Sequence, residues 1–88
     1  VIFNFNYPYN DVALGSIDTE VDFYDGAIQK TIYKIGLLDT TIYNDMLLQI
    51  FTNLIPYLVQ SKGKRILFHC YAGVSRSSTA AILYLILT

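Results

Sequence analysis

The chain has 88 residues, the length of one small domain, which leaves no room for a second. Six basic and seven acidic residues give a net charge of −1, which argues against nucleic-acid binding driven by bulk charge, and a hydrophobic fraction of 53% excludes a disordered chain. A single cysteine excludes an internal disulfide, and one cysteine with one histidine excludes a four-ligand structural zinc site.

The first part of the chain predicts a short strand and a hairpin. Residues 1–6 are mostly apolar and end at a turn formed by residues 7–11. Residues 20–24 alternate between polar and apolar side chains, Asp25-Gly26 is a strong two-residue turn signal, and residues 27–35 form the returning strand.

The second part predicts helix, strand and helix. Asn44 is suited to a helix N-cap, and apolar residues then recur at helical spacing to about Gln60. Pro56 is expected to kink this helix or to end it early, because proline removes one backbone hydrogen bond. Residues 65–69 predict a short strand buried inside a sheet, and the final helix begins at about Arg76. The order predicts an α/β fold: a central, mostly parallel sheet with flanking helices.

Both ends of the chain consist of apolar residues, so we expect residues 1–88 to be part of a larger domain that is truncated at both ends. The closing apolar run is far shorter than the roughly 20 residues that span a bilayer, and it predicts a core helix. No secretory signal pattern is present, and we expect a protein of the cytoplasm or nucleus without membrane contact.

The segment from residue 69 to residue 79 carries the chemical information. Cys70 ends the predicted buried strand, Gly73 permits a tight loop, and Arg76 begins the helix. A strand, a tight loop and a helix N-terminus bind anions, because loop amides and the helix dipole both favour negative charge. Arg76 has a planar guanidinium that can bind two oxygens of a phosphate. We expect the same field to lower the pKa of the Cys70 thiol below its free value of about 8.5.

The run His-Cys-x-x-Gly-x-Ser-Arg-Ser at residues 69–77 resembles the signature of the cysteine-based protein phosphatases, specifically the dual-specificity branch. Ala72-Gly73 and residues 75–77 are more similar to enzymes that act on phosphoproteins than to the lipid-directed relatives, which usually carry extra lysines in this loop. The resemblance covers residues 29–88 well and residues 1–28 loosely. It implies a phosphatase-like fold and a partial catalytic domain, with no metal and no other cofactor.

The resemblance also assigns roles. Cys70 is the nucleophile, Ser77 hydrogen-bonds the sulfur and helps it to leave, and His69 supports the loop. Arg76 binds the phosphate together with the main-chain amides of the loop residues Tyr71, Ala72, Gly73, Val74 and Ser75. Asp39 is the expected general acid: it precedes Cys70 by 31 residues and, like Cys70, follows a strand of the predicted parallel sheet. The carboxyl ends of such strands share one edge of the sheet, where ligands bind.

The expected reaction is hydrolysis of phosphate monoesters on phosphoproteins, on phosphotyrosine and also on phosphoserine or phosphothreonine, through a cysteinyl-phosphate. The expected partner is therefore a phosphorylated protein, and no preference among these residues can be predicted. The alternative is a catalytically silent module that binds phosphopeptides. Two further interpretations stay open: Asp39 is an ordinary turn residue, or Cys70 is an oxidisable thiol.

Overall fold

The structure is a computed structural model that describes residues 1–38, 45–70 and 76–87. Its elements are, in chain order, β1 (Ile2–Asn4), β2 (Ile17–Tyr24), β3 (Ala27–Ile35), α1 (Asp45–Gln60), β4 (Leu67–His69) and α2 (Arg76–Leu87). The α/β class is confirmed. The expected N-cap, Asn44, lies outside the described residues.

The four strands form one mixed sheet in the order β2-β3-β1-β4. Strand β1 is parallel to both of its neighbours, with Phe3 opposite Tyr33 of β3 and opposite Phe68 of β4. Strand β2 is antiparallel to β3. The parallel strands β1, β3 and β4 therefore end at the same edge of the sheet.

The predicted hairpin is confirmed, and it is longer than predicted because β2 begins at Ile17. Asp25 and Gly26 connect its strands with φ angles of 53° and 80°. Positive φ at both central residues is the requirement of the turn whose twist matches that of a hairpin. The dipeptide thus sets the pairing of Phe23 with Ile28 and of Tyr24 with Ala27, and the register shifts by one residue between Asp22 and Phe23.

Both described helices cover the same face of the sheet. Phe3, Tyr33 and Phe68 form an aromatic row across the three parallel strands, with ring centroids 4.9 and 5.1 Å apart. Tyr57 of α1 packs on Tyr33 at 4.8 Å, and Tyr84 of α2 packs near Phe68 at 6.1 Å. The core lies between this face and the helices, where α1 contributes Ile50, Leu54 and Leu58.

Two predictions about single elements are corrected. Helix α1 continues through Pro56 to Gln60, the end predicted for it, so of the two effects expected at Pro56 the early end does not occur. Strand β4 is shorter than residues 65–69 and lies at an edge of the described sheet, with Leu67 55% exposed. The apolar run indicated burial on both faces, whereas Phe68 packs against the aromatic row and Leu67, one residue earlier, points to the other face.

Candidate active site

The ends of three parallel strands meet at the edge of the sheet where Cys70 lies. The β1–β3 pairing is described as far as Asn4 opposite Lys34, and the β1–β4 pairing as far as Asn4 opposite His69. One further hydrogen bond, from the amide of Phe5 to the carbonyl of His69 at 2.9 Å, extends the β1–β4 pairing. Cys70 follows directly. The edge matches the place at which parallel α/β sheets bind ligands.

Cys70 is a buried thiol, 9% exposed, that forms no disulfide and belongs to the core cluster. Its Sγ lies 3.4 Å from Oγ of Ser77, the second residue of α2. Ser77 is itself buried. A thiol and a hydroxyl at this distance can form a hydrogen bond with either group as donor, and after loss of the thiol proton the hydroxyl is the donor.

Arg76, the first residue of α2, is 5% exposed. Its Nη1 donates hydrogen bonds to the carbonyl oxygens of Phe5 at 2.7 Å and Leu37 at 3.0 Å. Burial of a charged group is costly unless it is well hydrogen-bonded, and these carbonyls reduce that cost. The two carbonyls follow the ends of β1 and β3, so the guanidinium joins α2 to both strands.

The sequence predicted that the fork of Arg76 binds phosphate, and it did not predict the contacts with the carbonyls of Phe5 and Leu37. Carbonyl contacts of this kind cannot be detected in a sequence, because every residue has the same main-chain group. The Nη1 contacts use one nitrogen of the planar fork and hold its plane in one orientation.

Several predicted site residues lie outside the described residues. They are Asp39, Tyr71, Ala72, Gly73, Val74 and Ser75. The structure therefore brings together Cys70 and Ser77 directly, and it places Arg76 at the ends of the neighbouring strands. His69, the last residue of β4, is half-buried beside Cys70 in the chain.

Two residues at this edge were missed by the sequence interpretation. Asn10, 4% exposed, donates through Nδ2 to the carbonyls of Asn4 at 3.2 Å and Ile35 at 3.1 Å. Gly36 packs against the main chain of Ala13. Both positions had only a local signal, a turn-forming asparagine and a glycine after a strand, and neither signal indicates a partner that is distant in sequence.

In the described part of the chain, two cavities do not have Cys70 in their lining. A groove of about 280 Å³ between α1 and α2 is apolar, and it is lined by residues that include Phe51, Ile82 and Ile86. A cavity of about 360 Å³ lies near the start of β3 and is lined in part by Lys30, Lys64 and Arg65. Neither cavity is lined by a predicted site residue.

Among the described residues, no group of three or more histidine, cysteine, aspartate or glutamate side chains is arranged to hold a metal ion. No helix in the same part of the chain has the length and apolar character that a membrane span requires. Comparison with protein-family models, with curated proteins and with solved structures gives no match for this chain.

Proposed function

We propose that this chain hydrolyses phosphate monoesters on phosphoproteins through a cysteinyl-phosphate intermediate. The observation that carries the proposal is the contact of 3.4 Å between Cys70 Sγ and Ser77 Oγ, at the edge of the sheet where Arg76 is buried. A hydroxyl donor and a helix N-terminus next to a sulfur favour the thiolate, whereas burial opposes it. The thiolate is the nucleophilic form of cysteine.

In the first step, the thiolate of Cys70 attacks phosphorus opposite the leaving oxygen. The S–P bond forms as the P–O bond to the substrate breaks, and Asp39 transfers its proton to that oxygen. Asp39 lies outside the described residues, and this role rests on the sequence resemblance. Arg76 balances the charge of the phosphoryl oxygens through its guanidinium, whose planar fork can bind two of them.

In the second step, water attacks the phosphorus of the cysteinyl-phosphate while the carboxylate of Asp39 accepts a water proton. The new P–O bond forms, the S–P bond breaks, and inorganic phosphate leaves. The sulfur departs as a thiolate, and the hydroxyl of Ser77, at its distance of 3.4 Å, stabilises the negative charge by donating a hydrogen bond.

The test is hydrolysis of a chromogenic aryl phosphate by the chain and by single variants. We expect Cys70→Ser to abolish turnover, because a serine hydroxyl does not ionise near neutral pH. We expect Ser77→Ala to slow breakdown of the phosphoenzyme roughly ten- to a hundredfold, the factor that a hydrogen bond to a charged group contributes. Ser78→Ala is the matched control, since Ser78 lies next to Ser77 on α2 but is exposed.

Phosphate labelling of the protein distinguishes the enzyme from the catalytically silent module that binds phosphopeptides. Trapping of radiolabelled phosphate on the wild-type protein, and its loss in Cys70→Ser, would support the covalent route. A folded wild-type chain that binds a phosphopeptide but neither hydrolyses aryl phosphate nor becomes labelled would show that the binding module is the correct function.

A further inference from the structure

The buried amide of Asn10 joins two strands at the edge of the sheet where Arg76 is held. Its Nδ2 donates to the carbonyl oxygen of Asn4, at the end of β1, and to that of Ile35, at the end of β3. Its Oδ1 accepts a hydrogen bond from the amide of Val12 at 3.3 Å. Carbonyls only accept and the main-chain amide only donates, so these partners determine the orientation of the Asn10 amide.

The contacts of Asn10 lie next to those of Arg76 along both strands. The carbonyl of Asn4 is one residue before that of Phe5, and the carbonyl of Ile35 is two residues before that of Leu37. The described pairing of β1 with β3 ends at Asn4 and Lys34. Beyond that pair, Asn10 and Arg76 each join the two chain segments through their side chains.

One nitrogen of Arg76 reaches two carbonyls only when the segments that carry them are the right distance apart. The Asn10 amide fixes that distance through its hydrogen bonds of 3.2 and 3.1 Å to Asn4 and Ile35, which shortly precede Phe5 and Leu37 in the chain. Removal of the amide leaves the part-buried carbonyl of Asn4 and the buried carbonyl of Ile35 without this donor, and it removes the contact that holds the strand ends together. The guanidinium would then be held less firmly.

We propose that Asn10 is a positioning residue that orients the guanidinium of Arg76 for phosphate by fixing the separation of the β1 and β3 ends. The inference rests on the proposed function for its phosphate ligand, but the effect of Asn10 on Arg76 can be measured without any activity. Asn10 does not touch the reacting atoms in this assignment. It acts through the carbonyls of Phe5 and Leu37.

The first experiment follows the guanidinium protons of Arg76 by NMR in Asn10→Ala. The chain has two arginines, and Arg65 is exposed, so the buried Arg76 gives the protected signals, with Arg76→Lys as the assignment control. We expect Asn10→Ala to raise the hydrogen-exchange rate of these protons about tenfold or more, the effect of losing one hydrogen bond. Ser61→Ala is the matched control.

Ser61 is suited to this purpose because it is also a buried polar residue whose side chain donates to a main-chain carbonyl, that of Tyr57 at 2.8 Å. It lies after α1 and makes no contact with Arg76 in the described hydrogen bonds. We expect Ser61→Ala to leave the exchange of the Arg76 protons unchanged. Equal exchange rates in Asn10→Ala and the wild-type protein, or an equal rise in Ser61→Ala, would overturn the inference.

The second experiment measures inhibition by inorganic phosphate and the kinetics of aryl phosphate hydrolysis. We expect Asn10→Ala to weaken phosphate inhibition about tenfold and to lower kcat, and to have little further effect in the Arg76→Lys background, because coupled residues are not additive. Additive effects would contradict a role through Arg76. Loss of Arg76 protection in Asn10→Ala together with an inactive wild-type protein would support the positioning role and refute the proposed function.

A measurement on the wild-type protein applies if Asn10→Ala does not fold. Titration with inorganic phosphate should shift the side-chain amide resonances of Asn10 and the guanidinium resonances of Arg76 with one common affinity. Phosphate that shifts Arg76 and leaves Asn10 unchanged would contradict the inference.

Discussion

Gly36 lies near the candidate site at a point where two segments of the main chain come close together. Its amide donates to the carbonyl of Ser16 at 2.9 Å, and its own carbonyl accepts from the amide of Gly15 at 2.7 Å. A Cβ atom at this position would overlap the carbonyl oxygen of Ala13. The obstacle is main chain, which cannot rotate away as a side chain can, so only glycine fits without displacement.

We predict that Gly36→Ala lowers the free energy of unfolding by about 3 kcal/mol, the upper range for overpacking a close-packed site. Because Leu37 follows directly and its carbonyl binds Arg76, the variant should also reduce turnover of aryl phosphate. Urea denaturation measures the first effect. Gly63→Ala is the control: Gly63 has φ of 83° and open space around it, so only backbone strain of about 1 kcal/mol is expected. A smaller loss in Gly36→Ala than in Gly63→Ala would contradict the packing argument.

At the residue scale, the sequence predicted the groups that chemistry restricts to few residue types. Cys70, Arg76 and Ser77 could be singled out because a thiol, a guanidinium and a hydroxyl at this spacing resemble a known signature. Asn10 and Gly36 could not. Their roles depend on carbonyl groups that lie close in space and distant in sequence, and asparagine and glycine occur in many turns for local reasons.

At the scale of elements, helix α1 shows how packing outweighs a local signal. Proline in a helix interior costs about 3 kcal/mol, which favours an end near Pro56. The residues after it are Tyr57, which packs on Tyr33, and Leu58, which is fully buried. Full burial of Leu58 contributes roughly 1.5–3 kcal/mol and the partly buried Tyr57 adds to it, which offsets a cost of this size.

We therefore predict that Pro56→Ala stabilises the protein by about 1–2 kcal/mol. The substitution restores a helical donor at an exposed position, and the gain is reduced because alanine leaves the unfolded chain more conformational freedom. Thermal and urea denaturation measure the change. Asn53→Ala, also exposed on α1, is the control and should gain only a few tenths of a kcal/mol from helix propensity. Equal stabilisation by the two variants, or a loss of stability in Pro56→Ala, would show that Pro56 does not destabilise α1.

The local sequence determines the hairpin of β2 and β3, but it does not determine the position of the edge strand β4. Asp25-Gly26 specifies its turn through positive φ angles, a local property, and the hairpin was predicted from it. The position of β4 depends on which strand pairs with it. Strand β1, first in the chain and three residues long, lies between β3 and β4, and no local pattern encodes that order.

At the scale of the whole molecule, the two helices and the aromatic row form one layer of contacts on which stability depends. Tyr33 is central to this layer, stacked on Phe3 at 4.9 Å and packed against Tyr57 at 4.8 Å. Burial raises the pKa of Tyr33 above its ordinary value of about 10, and the neighbouring Tyr57 raises it further. The neutral phenol is therefore favoured in the folded protein.

The sign of the pH dependence follows from this shift. The contribution of Tyr33 is fully present below about pH 10, where both the folded and the unfolded chain keep the proton. Above that pH the unfolded chain loses the proton first, so the contribution falls as the pH rises through the pKa of the folded protein. We predict that Tyr33→Phe, which has no phenol to ionise, loses less stability than the wild-type protein between about pH 9 and about pH 11.

Urea denaturation at the two pH values measures this difference. Because each variant is compared with itself at the two pH values, any pH-independent change in the free energy of unfolding caused by deleting the hydroxyl cancels. Only the pH-dependent part remains. Tyr24→Phe is the matched control, because Tyr24 is a tyrosine at the hairpin that is 73% exposed. We expect its alkaline loss to equal that of the wild-type protein. An alkaline loss in Tyr33→Phe as large as in Tyr24→Phe would mean that another group, and not the buried phenol of the aromatic row, limits stability at high pH.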